Sequence, residues 1–147
     1  SHKDAASEQQ NIAFLKAKHD AGADEAHSQF FFEAETFLRF RDACDAAGID
    51  TTRLTPGILP IGNWAAAEKF AARCGAYVPA DLAQGFEKAA RDDRAALFGL
   101  AHATELCDML LTEGVDRLHF YTLNRPSLSA QIARALGISA PAIRNVA

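Results

Sequence analysis

The order of apolar segments along the chain predicts an α/β fold built on a parallel sheet, and three observations carry that reading. Stretches with helical spacing alternate with short apolar runs in the order helix, strand, helix, strand, three helices, strand, helix. The first short run, AHSQFFF at residues 26 to 32, holds three consecutive aromatics, as a strand covered on both faces would. Gly22, Gly48 and Gly114 each stand just past the end of a helical stretch, where a left-handed cap is needed.

The first helix is read over residues 7 to 21, where Ile12, Leu15 and His19 recur three to four apart and Ser7 is a candidate cap. After the aromatic strand, residues 34 to 47 return to helical spacing through Phe37, Leu38, Arg41 and Cys44. RLTPGILPI at residues 53 to 61 reads as the second strand, although Pro56 and Pro60 cannot donate to a ladder and belong at edges, strand ends or bulges. Asn63 is placed to cap a helix over 64 to 74, and Pro79 suits the first turn of a short helix from 80 to about 89. The longest helix is read from about 92 to 113, with an apolar stripe of Leu97, Leu100, Ala101, Thr104, Cys107, Met109 and Leu111. RLHFYTL at 117 to 123 is the third strand, a last helix follows at about 127 to 136, and Gly137 with Pro141 opens a loose tail over 138 to 147.

Three parallel strands with partial helix cover leave two open edges, and all-parallel sheets are almost always extended or closed. A β/α barrel has eight strands in about 250 residues. Three strand and helix units in 147 residues therefore fit the C-terminal portion of a TIM-type barrel, its last three units, with the whole chain as one partial-barrel domain.

Composition narrows the partners. Apolar residues make up 49% and charged residues 23%, which suits a packed domain and not a disordered one. A net charge of −4 without any basic run argues against nucleic acid. No stretch approaches the ~20 apolar residues that span a bilayer, and SHKDAASEQQ lacks a signal core, so no membrane contact and a cytoplasmic location are expected. Cys44, Cys74 and Cys107 form no C-x-x-C pair, and buried, unpaired thiols are expected in place of a zinc or redox site. His27, His102 and His119 share no metal-ligand spacing, so no metal site is assigned.

No G-x-S-x-G elbow, H-E-x-x-H helix, Walker loop or G-x-G-x-x-G turn occurs. What remains are polar residues at the C-terminal ends of strands, where barrel active sites are built: Gln29, Asn124 and Arg125. Gln29 interrupts an apolar run, and a buried amide must bond either to protein or to a ligand. Arg125 could grip a carboxylate or phosphate at two points, but a lone arginine is more often a surface residue. Phe70 has core spacing with Trp64 and Ala67, and a stacking platform is the sharper alternative. His2 and Lys18 flank the first helix, with a solvated role as the plain reading of each.

Taken together, AGAD with QFFFE, TFLRFRD, AGID, PGILPI and HFYTLNR resemble the methylenetetrahydrofolate reductase family in order and spacing, over about residues 2 to 137. The resemblance implies a β/α barrel that binds FAD and reduces methylenetetrahydrofolate to methyltetrahydrofolate, with hydride from NADH or NADPH passing through the flavin. It implies flavin contacts at His2, Ala5 and Lys18, and folate contacts at Gln29, Phe70 and Arg125. Asn11, Phe14 and Ala17 stand where the family tends to have Asp, Asn and Arg, and Ala66 where a second glutamine is common. The family's general-acid glutamate on its first strand and its aspartate on the fourth have no counterpart here, so no catalytic residue is assigned. The implied chain is a fragment of the reductase that lacks its N-terminal catalytic residues. Two alternatives stand beside it: a non-catalytic half-barrel that needs a partner chain, and a reductase relative acting on a different folate or one-carbon carrier. Open edges lead us to expect a homo-oligomer.

Overall fold

The computed structural model describes residues 2–122 and 126–138, so Asn124, Arg125 and nearly all of the expected tail lie outside the described residues. Helix α1 spans His2–Asp20 and is followed by strand β1, Ala26–Phe30, and helix α2, Ala34–Ala46. A short 3-10 turn at Thr51–Arg53 leads into β2, Leu54–Ile58. Three helices follow, α3 Trp64–Cys74, α4 Ala80–Arg91 and α5 Ala95–Thr112, then β3 at His119–Phe120 and α6 at Pro126–Ala135. The three strands form one sheet in the order β1, β2, β3, and both pairings are parallel. The element order and the parallel sheet are those read from the sequence, and they are the architecture of a partial TIM-type barrel.

Several boundaries differ. Helix α1 begins ahead of Ser7, which lies inside the helix and caps nothing, because the preceding Lys3, Ala5 and Ala6 favour helix and no glycine or proline interrupts them. Helix α5 starts later than expected because Asp93 takes a left-handed φ of 55° and separates it from α4. Its buried face is Gly99, Ala103, Leu106, Cys107 and Leu110. The expected stripe was out of phase, and Leu97 and Met109 point outward with 63% and 51% exposure. Strand β3 pairs through two residues only, extended by the Tyr121 N–H donating to the Ile58 carbonyl at 2.8 Å.

Strand β1 is not covered on both faces. Ala26 packs on the helices while His27 and Gln29 are exposed on the other side. Phe31 and Phe32 leave the ladder and are buried in different places. Phe31 joins the core between the sheet and helices α2, α5 and α6, with Phe37, Leu54, Ile58, Leu106, Leu110 and Ile132. Phe30 and Phe32 join a second core at the C-terminal ends of β1 and β2, with Leu59, Ile61, Ala71, Leu82 and Phe86. The His102 Nε2–H donates to the Phe32 carbonyl at 3.0 Å and ties α5 to this aromatic turn.

Pro56 sits in the central strand, fully buried, where a missing N–H would normally break the ladder. The Gly57 N–H points to β1 and the Ile58 carbonyl to β3, so the Pro56 nitrogen faces β3, which pairs with β2 only at Gly57 and Ile58. His27 faces Thr55 and Phe30 faces Gly57, so three steps on β1 span two on β2, and β1 bulges beside the proline. The Gly57 N–H then donates to Ser28 Oγ at 3.0 Å in place of a backbone partner. Gly57 itself has no room for a side chain: a Cβ there would lie 2.5 Å from both the Ser28 carbonyl oxygen and Tyr121 Cε2. Gly57→Ala should therefore destabilise the fold by about 1–3 kcal/mol through overpacking. The midpoint of a urea transition measures this, and an unchanged midpoint would contradict the close approach.

Candidate functional site

Helix-facing and open faces of the sheet differ sharply in chemistry. Ala26, Leu54, Ile58, Leu118 and Phe120 serve the helix-side core. The alternation of a strand then places His27, Gln29, Thr55, Gly57, His119 and Tyr121 on the opposite face. In a barrel that face points inward.

Side chains on this face meet across the central strand. The His27 and His119 rings stack with centroids 4.3 Å apart, and the Tyr121 ring stands edge-on to His119 at 4.8 Å. Glu25 Oε1 accepts from Thr55 Oγ1 at 3.1 Å and lies 3.4 Å from both Arg117 Nη1 and His27 Nε2. The Arg117 Nη2 group also donates to the Thr52 carbonyl at 2.5 Å. The Thr55 hydrogen bond, then that of His27, holds the Glu25 carboxyl below its ordinary range, with the Arg117 charge adding to both. Neither histidine had a role in the sequence reading. The signal that could have found them is the alternation H-x-Q in AHSQF and H-x-Y in HFY, which puts each histidine on the same face as the next polar residue.

A groove of about 820 Å³ runs between α1 and the β1 and α2 segment. It is lined by Asn11, Phe14 and Lys18 from α1, His27 and Gln29 from β1, and Tyr77 after α3. Lys18 and Gln29, on different elements and singled out for different ligands, thus open onto one space. The Lys18 ammonium rests over the Phe14 ring, 4.4 Å from its centroid, and that ring is 63% exposed. His2 and Ala5 lie in the first turns of α1. Arg125 is outside the described residues.

Gln29 is exposed and not buried as expected, because the alternation of β1 places it with His27 on the open face of the sheet. Its Nε2 donates to the Cys74 carbonyl at 2.9 Å. Helix α3 ends there at Gly75, with a left-handed φ of 67°, so Gln29 satisfies one of the last-turn carbonyls that a helix leaves unpaired. Asn63 caps the other end, its Oδ1 accepting from the Ala66 N–H at 3.0 Å. Phe70 is half-buried on α3, stacked on Phe30 with centroids 5.2 Å apart, and Phe30 in turn lines the groove. Phe70 therefore acts in the core and stands one ring behind the groove wall.

Among the described residues, no three His, Cys, Asp or Glu side chains converge as metal ligands would. No helix of the described residues is long and apolar enough to cross a membrane.

Known proteins resemble this chain over most of its length. The family model described as methylenetetrahydrofolate reductase matches residues 1–137. The chain is 44% identical over 138 residues to the 5,10-methylenetetrahydrofolate reductase of Escherichia coli strain K12, a match that covers 93% of this chain and 46% of that protein. The corresponding protein of Salmonella typhimurium is 43% identical with the same coverage. A plant relative, methylenetetrahydrofolate reductase (NADH) 1 of Arabidopsis thaliana, is 37% identical over 131 residues, covering 88% of this chain and 22% of its own length. The chain thus spans about half the length of the bacterial relatives it matches.

The three thiols are free, but they are not equivalent. Cys44 and Cys107 are buried as expected, whereas Cys74, in the last turn of α3 beside the groove, is exposed. Burial pushes the Cys44 thiol from an ordinary 9.0 to about 11, with the Glu8 charge adding to it, and the Cys107 thiol to about 12. Their folded values lie above the unfolded one, so their contribution to stability is complete below pH 9.0 and is lost as pH rises toward 11 and 12. A chromogenic disulfide reagent near pH 8 should titrate one thiol quickly and two only on unfolding, and Cys74→Ser should remove the fast phase. Three equally fast thiols would contradict the burial.

Proposed function

The chain belongs to the methylenetetrahydrofolate reductase family, and from that premise we propose that it forms the folate-side and part of the flavin-side wall of a reductase. The reaction is conversion of 5,10-methylenetetrahydrofolate to 5-methyltetrahydrofolate. FAD, when bound, carries hydride from NADH or NADPH to the folate. The observation that supports this best is that Lys18 and Gln29 line one groove.

The donor set suits those ligands. Lys18 offers a mobile ammonium to the dinucleotide phosphates, and His2 and Ala5 stand on the same helix. Asn11 and Phe14 replace hydrogen-bonding family residues on the groove side of α1, and the exposed Phe14 ring offers an aromatic surface to the adenosine half. Gln29 uses one N–H on the Cys74 carbonyl. Its second N–H and its carbonyl oxygen are the groups that would meet a pterin edge, which both donates and accepts. Phe70 keeps Phe30, and with it the groove wall, in place. Arg125 is assigned to the folate carboxylate end, a charge that a guanidinium can meet at two points.

No catalytic acid is assigned in this chain, and the strands that would carry one must come from outside it. Strands β1 and β3 each pair on one side only among the described residues, and the sheet's inner face is polar, with His27 and Gln29 exposed. Such a parallel sheet calls for further strands, from the remainder of the same polypeptide or from another chain. The same open edges favour a second reading, a half-barrel module that acts only with a partner, and they favour homo-oligomers of the isolated chain. Ala66, which lacks the second amide, leaves room for a related folate or one-carbon carrier. We assign the protein to the cytoplasm.

The 147-residue chain alone is expected to hold FAD weakly, to self-associate by light scattering, and to show no reduction of methylenetetrahydrofolate with FAD and either nicotinamide donor. A monomer that turns over substrate would overturn the assignment of the catalytic acids to strands outside it.

A further inference from the structure

We propose that the outward face of α5 is a dimer interface, on which the helix packs antiparallel against α5 of a second copy about a two-fold axis at Ala101. A helix on the outside of a sheet normally turns a charged face to water. Helix α5 does not: Glu105 and Asp108 are the only Asp, Glu, Lys or Arg among its 18 residues. Its buried face, with Gly99, Ala103, Leu106, Cys107 and Leu110, packs toward the sheet and its loops. On the far side Leu97 is 63% exposed, and Ala101 and Asp108 are exposed with it.

The spacing on that side is ordered. Arg94, Leu97, Ala101, Thr104, Asp108 and Leu111 follow one another at alternating intervals of three and four residues, the repeat that keeps one seam of a helix against a neighbouring helix. Thr104 Oγ1 donates to the Leu100 carbonyl at 2.8 Å, so its hydroxyl is satisfied within α5 and brings no unmet donor to a dry seam.

The two ends of the seam carry opposite charge. Arg94 and Asp108 each stand seven residues from Ala101, close to two turns and about 10 Å along the axis in either direction. A parallel neighbour would set Arg94 against Arg94 and Asp108 against Asp108. A two-fold axis at Ala101 reverses the second copy and sets each Arg94 against the Asp108 of the other copy, twice per dimer. Ala101, the smallest side chain of the seam, then lies where the helices cross and lets their axes approach. Among the described residues neither Arg94 nor Asp108 has an ion-pair partner within the chain. The seam is thus its own complement, and the occupant that fits it is a second copy. Because α5 lies on the helix side of the sheet, this dimer leaves the inner face and the strand edges free.

Sedimentation equilibrium of the 147-residue chain gives a dissociation constant for self-association. Arg94→Glu and Asp108→Arg should each weaken it by about three- to tenfold, since each dimer holds the pair twice. The double variant should return to the wild-type value, and Leu97→Asp should weaken association at least as much as either reversal. In a Cys74→Ser background, mild oxidation should link Ala101→Cys into a disulfide dimer, because the axis brings the two thiols together. Thr112→Cys, on the same helix but far from the axis, should stay unlinked. Unchanged dispersion of 15N backbone signals checks the fold of each variant. A monomeric wild type would overturn the proposal. So would association that the reversals and Leu97→Asp leave unchanged, which would place it on the sheet edges instead. No recovery in the double variant, no link at Ala101→Cys, or equal linking at Thr112→Cys would overturn the antiparallel two-fold arrangement.

Discussion

In a parallel sheet the outer two of three strands lie roughly ~10 Å apart, too far for most of their side chains to touch. Here they touch repeatedly, because the central strand offers little on its open face. Gly57 has no side chain and Thr55 has a short one that turns to Glu25. Over these two positions His27 meets His119, Arg117 reaches Glu25 and Tyr121 reaches Ser28. The bulge of β1 beside Gly57 adds the other half of the constraint, since it leaves the Gly57 N–H to Ser28 Oγ. The contacts across the open face follow from the small side chains of Thr55 and Gly57 on the central strand.

Much of the architecture was legible because local chemistry and tertiary packing agree. Asn63 announces α3 by its cap, Gly48 announces the end of α2, and the alternation of helix and strand announces a parallel sheet. Where the reading went astray, a competing effect can be named. Helix α5 carries apolar residues around most of its circumference, so the stripe could not be phased from hydrophobicity. What selects its buried face is small size, with Gly99, Ala103 and Cys107 allowing close approach to the sheet and its loops. Cys74 looked like a core thiol but falls in the last turn of α3, on the rim of the groove.

The site was legible in part for a different reason. Lys18 and Gln29 could be picked out as residues, yet nothing in the spacing of positions 18 and 29 says that they share a groove. That depends on how α1 lies along β1. Gln29 was taken for a buried amide because its neighbours in AHSQFFF are apolar, whereas strand alternation puts it on the sheet face that no helix covers. Phe70 was ambiguous between core and ligand platform, and its stack on Phe30 puts it in the core with an indirect hold on the groove.

The bond from Tyr121 to Ser28 closes a loop of 93 residues. Loop closure of that length is entropically unfavourable until the intervening elements have formed, so this contact belongs to the late steps of folding. Helices α2 to α5 and the β1 and β2 pair can gather first. The inner face of the sheet therefore acquires its final form only when the last strand is home. A chain caught part-way would show most of its secondary structure and yet lack the ring contacts of His27, His119 and Tyr121, which couples the finished inner face to the completion of the fold.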